Sequence, residues 1–507
     1  MFSKEKIANN LLKNFSSGVG AQVFTVACNF FAVPFLLKRF GVEAYGLVAF
    51  YSTLQVVFTI LDGGISPLLI RQTAASLGGG EKVEKEYSAL LQACISFCCI
   101  TALAGGVTIF MAADFLGTSW LEFNEMDTEQ VVLVIQTMAI IIGLRWLSGF
   151  YRAMFVGHQN ITLLSAVNIF MAVFRFLLVL LYLTWISGGV LDYFKYQLFC
   201  GLLELSLLFF LNSKFNKHKY WKTTFHEKIA AVKNNYKFAL YAGIGSVIWI
   251  VLTQTDKVIV SKSLEISDFS AFSLGVLGAS IFFFISTPLS NVFIPKLTEI
   301  YKLQNTAAFH NLYSVGLNLC AIVLIPITIL VYIFSTELLL FWTGNIEVSE
   351  KADLVLGLYS LGNGIAVLGS FAYFLQSAIG NLKLHLLGSV IFLVLFVPAL
   401  FTCLNVFGIN GAGIVWLAVH LIMFFCWGGY IHSVYLKKFY LKWITKVFIP
   451  VTLFSFILAL IEYYIYSLTS SKYLQIILLP VSSIANLGLL YVYVYGFRRI
   501  QLPKLMN

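Results

Sequence analysis

Apolar and polar positions alternate along this chain in long blocks, not with the period of a strand or of a half-buried helix. Apolar stretches cover residues 16–37, 46–70, 88–112, 131–151, 161–185, 191–212, 238–260, 271–294, 312–334, 354–377, 384–404, 411–433, 445–467 and 473–496, with short polar turns between them. At ~1.5 Å per helical residue, each stretch spans the ~30 Å hydrocarbon core of a bilayer. In hydrocarbon every backbone N–H and C=O has to be satisfied within the chain, and for single segments of this length that means helices. The pattern predicts an all-α polytopic membrane protein with about 14 transmembrane helices.

Composition agrees. Of the 507 residues, 59% are hydrophobic and 11% charged, against ~25% charged in a soluble domain. The net charge of +10 is scattered through short loops and forms no basic domain, so nucleic acid is not an expected partner. Lysine and arginine are retained on the cytoplasmic side of a membrane. With the N-terminus inside, cytoplasmic segments hold 24 of the 33 basic residues, and Asp114, Glu122, Glu125, Asp127 and Glu129 share one outer loop. Both termini are therefore expected in the cytoplasm. The N-terminal MFSKEKIANNLLKN leads into an apolar stretch longer than a signal-peptide core and reads as an uncleaved first helix. All eight cysteines lie in or beside apolar stretches, without metal-ligand spacing, and read as small packing residues.

Sliding the chain on itself by 224 residues lays the first two helices on the seventh and eighth without a gap. Lys38 falls on Lys262, Tyr45 on Phe269, Ser66 on Ser290 and Ile70 on Ile294. An offset of six helices preserves orientation, as in parallel repeats related by an axis along the membrane normal. The expected organisation is a parallel pseudo-twofold pair of six-helix bundles: residues 1–212 (helices 1–6) and 238–433 (helices 7–12). A basic amphipathic linker at 213–237 joins them, with seven lysines between Lys214 and Lys237 that would lie on anionic inner-leaflet lipids. Residues 434–507 would add helices 13 and 14 and a cytoplasmic tail. Secondary transporters rock two such bundles about a central cavity.

Two hairpins carry a resemblance. LLKRFGVEAYGLVAF followed by LDGGISPLLIRQ resembles the first hairpin of Wzx-type polysaccharide flippases, a branch of the multidrug/oligosaccharidyl-lipid/polysaccharide exporter superfamily; Gly41, Glu43, Tyr45, Gly46, Asp62, Gly64 and Arg71 match the family pattern. QTDKVIVSKSLE, with Asp256 and Lys257, is similar to the family's seventh helix. The resemblance implies translocation of a lipid-linked oligosaccharide of undecaprenyl-diphosphate type across the bacterial inner membrane, by alternating access, for surface polysaccharides such as O-antigen. A polysaccharide polymerase is a candidate partner. Many members have twelve helices, and this chain departs from them by an extra pair.

A charge at mid-bilayer costs ~2.5–3.5 kcal/mol on insertion scales, so each one needs a partner or a wet cavity. Those within apolar stretches are Asp62, Arg145, Arg175, Glu204, Asp256, Lys257 and Glu462. Depth arithmetic at ~1.5 Å per residue sets Asp62 level with Arg145, and Arg175 level with Glu204. Asp62, Glu204 and Asp256 are the expected intramembrane charge partners. The bland reading is structural ion pairs locking the first bundle. The functional one makes Arg145 and Arg175 a diphosphate site, because guanidinium groups bind phosphate oxygens in fork geometry and stay protonated when desolvated. Arg152, just beyond helix 4 at its cytoplasmic end, would receive the headgroup first, and Lys257 is a further substrate-binding candidate. Asp256 and Lys257 point ~100° apart on a helix and cannot serve one face. Glu462, near an outer helix end, is expected to reach water.

There is no Walker A sequence, no nucleophile elbow and no histidine cluster with ligand spacing, so no enzyme, cofactor or metal is expected. A multidrug cation antiporter of the same superfamily is the alternative, although helix 1 carries no carboxylate and the arginines would repel a cation. A membrane-embedded glycan polymerase or ligase would need a long outer loop, which this chain lacks.

Overall fold

The computed structural model describes residues 4–76, 81–186, 188–215 and 222–468. Among these the chain is helical and without strands. The main helices are α1 (Lys4–Phe58), α2 (Ile65–Ser76), α3 (Glu81–Met111), α4 (Thr128–Gly157), α5 (Ile161–Ile186), α6 (Val190–Phe215), α7 (Phe225–Ser263) and α8 (Ile266–Ala279). They continue with α9 (Ser286–Lys302), α10 (Thr306–Ile333), α11 (Ser335–Thr343), α12 (Ile346–Ile379), α13 (Lys383–Phe407), α14 (Ile409–Tyr435) and α15 (Phe439–Leu468). Among the described residues, eleven helical stretches are long and apolar enough to cross a membrane. That number does not establish the expected fourteen: one stretch, Ser16–Asp62, is broken at Gly41 (φ 81°, ψ 172°) and covers two of the expected helices. Helix 14 (473–496), the tail and linker residues 216–221 lie outside the described residues.

The chain forms two compact units, Met1–Ser270 and Ala271–Asn507. The division falls after α7 because that helix packs on α1, α2 and α3. Gln72 donates to Asn235 at 2.6 Å, the Arg71 guanidinium stands 4.6 Å over the Phe238 ring, and Lys85 pairs with Glu227 at 2.8 Å. The linker and helix 7 are one continuous helix from Phe225 onward. Thr224 and Glu227 form a reciprocal capping box at its start, and no glycine or proline interrupts the sequence until Gly243.

Gly64 (φ +86°) and Gly243 stand where two backbones cross closely. A Cβ on Gly64 would lie 2.0 Å from the Ala239 carbonyl oxygen, and one on Gly243 would lie 2.7 Å from the Gly63 backbone. Only glycine permits both the left-handed conformation and that approach.

The 224-residue offset reappears as geometry. The break at Gly41 maps onto the break at Leu264–Glu265, and the 3-10 turn Thr59–Asp62 maps onto the 3-10 turn Ser280–Ile285 to within a few residues. Each copy therefore reads helix, break, helix, 3-10 turn, helix.

In the first unit Leu69, Leu90, Leu91, Phe150 and Met154 pack α2, α3 and α4 together, while Phe155, Val167, Met171 and Cys200 join α4, α5 and α6. The second unit is built around a larger cluster that includes Tyr313, Phe371, Phe374, Phe424 and Trp443. Leu103, Val394 and Val406 stand exposed on outer faces, as a protein solvated by hydrocarbon allows.

Candidate functional site

Apart from Asp256 and Lys257, the intramembrane charges of the first unit gather at two places. The 3-10 turn at Thr59–Asp62 ends the long first helix and leaves Asp62 just ahead of α2. Its carboxylate accepts the Ser66 amide (3.1 and 3.2 Å) and the Ser66 hydroxyl (2.7 Å), capping the new helix. Asp62 also lines a cavity of 630 Å³ with Gln55, Ser66, Cys98, Arg145 and Trp146. Asp62 and Arg145 thus share one cavity, but Asp62 spends its oxygens on Ser66, and among the described residues no carboxylate is bonded to Arg145. The electrostatic neighbours of Arg145 are Tyr51, Glu204 and Tyr193. Trp146 is held in the cavity wall by its indole N–H, which donates to the Thr101 hydroxyl at 3.1 Å.

The second place is an ion cluster centred on Glu204 of α6, only 1% exposed. Its carboxylate accepts from Arg175 on one oxygen and from Arg152 on the other, and the Arg152 Nε donates to it at 3.0 Å. Arg152 also donates to Asn168 of α5 at 2.5 Å. Arg145 lies within electrostatic reach of the same carboxylate. Two guanidinium groups therefore share one glutamate, with a third within electrostatic reach, and the cluster carries an excess of positive charge.

The backbone is shaped for this cluster. Residues Val173–Leu178 form a π-helical segment inside α5; such a segment breaks the regular α-helical hydrogen-bond ladder and recurs at functional sites. Two side chains of α6 bond carbonyls of that segment: the Tyr196 hydroxyl donates to Phe174 O at 3.1 Å, and the Gln197 amide to Arg175 O at 3.0 Å. Arg175 is thereby fixed against Glu204, buried, with its Nε lacking a hydrogen-bond partner.

The candidates read from the sequence are thus distributed unevenly. Arg145 and Asp62 line the cavity. Arg152 and Arg175 share Glu204, and Arg175 is not a lining residue of the cavity. Arg152 stands inside α4, which continues to Gly157. Asp256 is buried, and its Oδ1 accepts the Lys257 amide at 2.8 Å. Lys257 turns back on its own helix, donating to Thr253 O and Gln254 Oε1 at 3.3 Å each, so it is not at the cavity, although Ile250 of α7 is. Sequence reading missed Asn168, Tyr196 and Gln197. Asn168 carried a signal, being a lone amide in the apolar run ITLLSAVNIFMA.

The family of polysaccharide biosynthesis proteins matches residues 11–332. The chain belongs to that family, the family of the Wzx-type flippases. No curated protein matches it. Among solved structures, this family member resembles "Lipid II flippase MurJ, inward closed conformation" with a TM-score of 0.68 at 15% identity, covering 94% of this chain and 98% of that one. It is similar to an inward-facing multidrug resistance MATE family transporter of the MOP superfamily, with a TM-score of 0.66 at 12% identity, covering 82% and 96%. A MOP superfamily transporter from Pyrococcus furiosus follows, with a TM-score of 0.53 at 11% identity, covering 84% and 96%. At these identities the likeness establishes the fold, a membrane transporter fold shared by flippases and drug exporters.

Proposed function

We propose that this polysaccharide-biosynthesis family member is a flippase. It carries a lipid-linked oligosaccharide of undecaprenyl-diphosphate type from the cytoplasmic to the outer face of the bacterial inner membrane, by alternating access, with both termini in the cytoplasm. The observation that carries this reading is Arg145: a guanidinium on a cavity wall, bonded to no carboxylate among the described residues, and backed by two further arginines, Arg152 and Arg175, that share one glutamate. Holding uncompensated charge at such a depth is expensive. A substrate with a strongly acidic, doubly phosphorylated headgroup supplies the missing anion.

The fork of N–H donors on a guanidinium matches phosphate oxygens and remains charged after desolvation. Arg145 is the contact residue in this account. Arg152 and Arg175 act through Glu204, setting the local potential and the orientation of α4 against α5 and α6. The exposed lysines that open α7 sit beside the anionic inner leaflet, and a polymerase on the outer side would consume the product. The family's own description and the fold shared with a lipid II flippase support a lipid-linked cargo. The drug-antiporter reading draws on Asp62, the one carboxylate lining the cavity, but Ser66 already engages it.

The test is export of surface polysaccharide in cells whose only copy carries Arg145→Ala or Arg145→Lys, with membrane levels of the protein measured alongside. Loss of a charged hydrogen bond of ~1.5–3 kcal/mol predicts a drop of about 10- to 100-fold for alanine. Lysine keeps the charge without the fork and should fall between. Normal export from Arg145→Ala at normal protein level overturns the reading.

A further inference from the structure

Two smaller hollows in the first unit share α3 and α4 with the cavity and are closed by α6. One, of 290 Å³, is lined by residues that include Ile95, Cys99, Leu147, Tyr151, Leu205 and Phe209. The other, of 240 Å³, shares Ile95, Tyr151 and Phe209 and ends at Gln92, Asn212 and Ser213. Together they make one groove between α3, α4 and α6, followed over eight residues from Leu205 to Ser213, or ~12 Å at the helical rise.

Helix periodicity separates the groove from the cavity. Ile142, Arg145, Trp146 and Gly149 of α4 line the cavity, while Leu147, Tyr151 and Met154 line the groove. The two sets are adjacent stripes of one helix. Phe150 belongs to both. It lines all three spaces while only 4% exposed, so its ring is the partition between a charged chamber and an apolar channel. Adjacent residues of α3 divide in the same way, with Cys98 on the cavity and Cys99 in the groove.

We propose that this groove is the subsite for the isoprenoid chain of the transported lipid, occupied while the diphosphate is in the Arg145 cavity. The inference rests on the function proposed above and adds to it where the tail goes. A diphosphate-linked polyprenol cannot place both ends in one chamber, since burying a charge against apolar walls, or a chain among charges, is costly either way. The groove offers what the chain needs: aliphatic walls at Ile95, Leu147 and Leu205, and the Phe150–Tyr151–Phe209 rings, packed edge to face with centroids 5.3 and 5.8 Å apart. Its far end turns polar, with Thr223 donating to Gln92 at 2.8 Å and Asn212 donating to the Met154 sulfur at 3.1 Å. Groove and cavity share the Phe150 ring as a common wall, so a turn of that ring would join them and favour a lipid whose headgroup is the cavity's ligand over bulk phospholipid.

Cys99 provides the readout. The full-length protein, in bilayers of phosphatidylethanolamine, is treated with a membrane-permeant maleimide, and labelling is followed peptide by peptide by mass spectrometry. Cys426, the other exposed cysteine among the described residues, serves as internal control. Polyprenyl diphosphate at about four times its Kd should slow Cys99 labelling about fivefold, because protection follows 1 + [L]/Kd, and leave Cys426 unchanged. Inorganic pyrophosphate, or phosphatidylglycerol at the same mole fraction, should not. Equal protection by phosphatidylglycerol, or none by the polyprenyl lipid, overturns the subsite. The two proposals fail separately: unprotected Cys99 with export lost in Arg145→Ala removes the groove alone. Protected Cys99 with normal export in Arg145→Ala removes the headgroup assignment and keeps the groove.

Discussion

The two units of this protein handle interior polarity in opposite ways. The first buries Arg175, Glu204 and Asp256 and frames its cavity with Asp62 and Arg145. In the second, the fully buried polar side chains among the described residues are serines, threonines, amides and one histidine, and the half-buried Glu462 adds one buried carboxylate oxygen. Many of these neutral groups are matched locally. Asn363 donates to Ala279 O at 2.8 Å and accepts from the Trp416 indole at 3.0 Å, Trp443 donates to Asn318 at 2.9 Å, and Tyr313 bonds His432 at 2.7 Å. Neutral, satisfied networks specify packing at modest cost, whereas a charge in hydrocarbon has to be held against a large desolvation penalty. The difference teaches that the charges of the first unit are not a general device for holding such helices together, because the second unit packs without them.

The strongest way to break this comparison is Glu204→Ala. Removing the carboxylate leaves Arg152 and Arg175 facing one another without their shared anion, and loss of one member of a buried ion cluster costs ~3–5 kcal/mol. Thermal or denaturant unfolding of the purified protein should show most of its stability gone. Replacing Arg152 should cost far less, because its side chain is about a third exposed and can be rehydrated. Near-native stability in Glu204→Ala would mean that the cluster is ornamental and the contrast between units has no energetic content.

How much of this was legible in the sequence follows from which forces act locally. Membrane class and helix placement follow from hydropathy, since hydrocarbon admits few alternatives. The level of Arg175 with Glu204 followed from rise per residue, and the structure bonds the two. Arg152 was expected just beyond its helix because the apolar run stops at residue 151, yet α4 continues to Gly157 and brings it to the same carboxylate. The fusion of the linker with helix 7 had a readable signal in Thr224-x-x-Glu227, but the change from polar to apolar composition at residue 238 suggested a boundary that the backbone ignores. The π-helical segment at Val173–Leu178 left no mark in the sequence, because its carbonyls are bonded by residues of another helix.

A smaller effect is expected in the second unit. Asn363→Ala strands the Trp416 indole N–H and the Ala279 carbonyl at the start of the 3-10 turn, at ~1–3 kcal/mol by the cost of buried unsatisfied groups. The comparison sharpens if the unfolding midpoint falls while export per folded molecule stays at the wild-type value. Specific export falling as steeply as with Arg145→Ala would place functional polarity in the second unit as well.

The smallest effects make the finest comparison, because both units contain the same device. In the first, the Tyr196 hydroxyl bonds Phe174 O in the π-helical segment Val173–Leu178; in the second, the Tyr440 hydroxyl bonds Phe424 O at 2.6 Å in the π-helical segment Met423–Gly428. Tyrosine to phenylalanine keeps each ring and deletes one hydrogen bond, worth ~0.5–1.5 kcal/mol at either place. The consequences should differ because of what each segment carries. The first holds Arg175 against Glu204, so Tyr196→Phe loosens the backbone that aims a guanidinium into the cluster behind the Arg145 cavity. The second carries no charge, and Tyr440→Phe loses only the bond to Phe424 O while its ring keeps the stacking on His432, with ring centroids 4.5 Å apart. The two variants should match in unfolding midpoint and diverge in polysaccharide exported per folded molecule, with Tyr196→Phe lower. Equal specific export from both would show that the π-helical segment in the first unit, like its counterpart, does no more than pack.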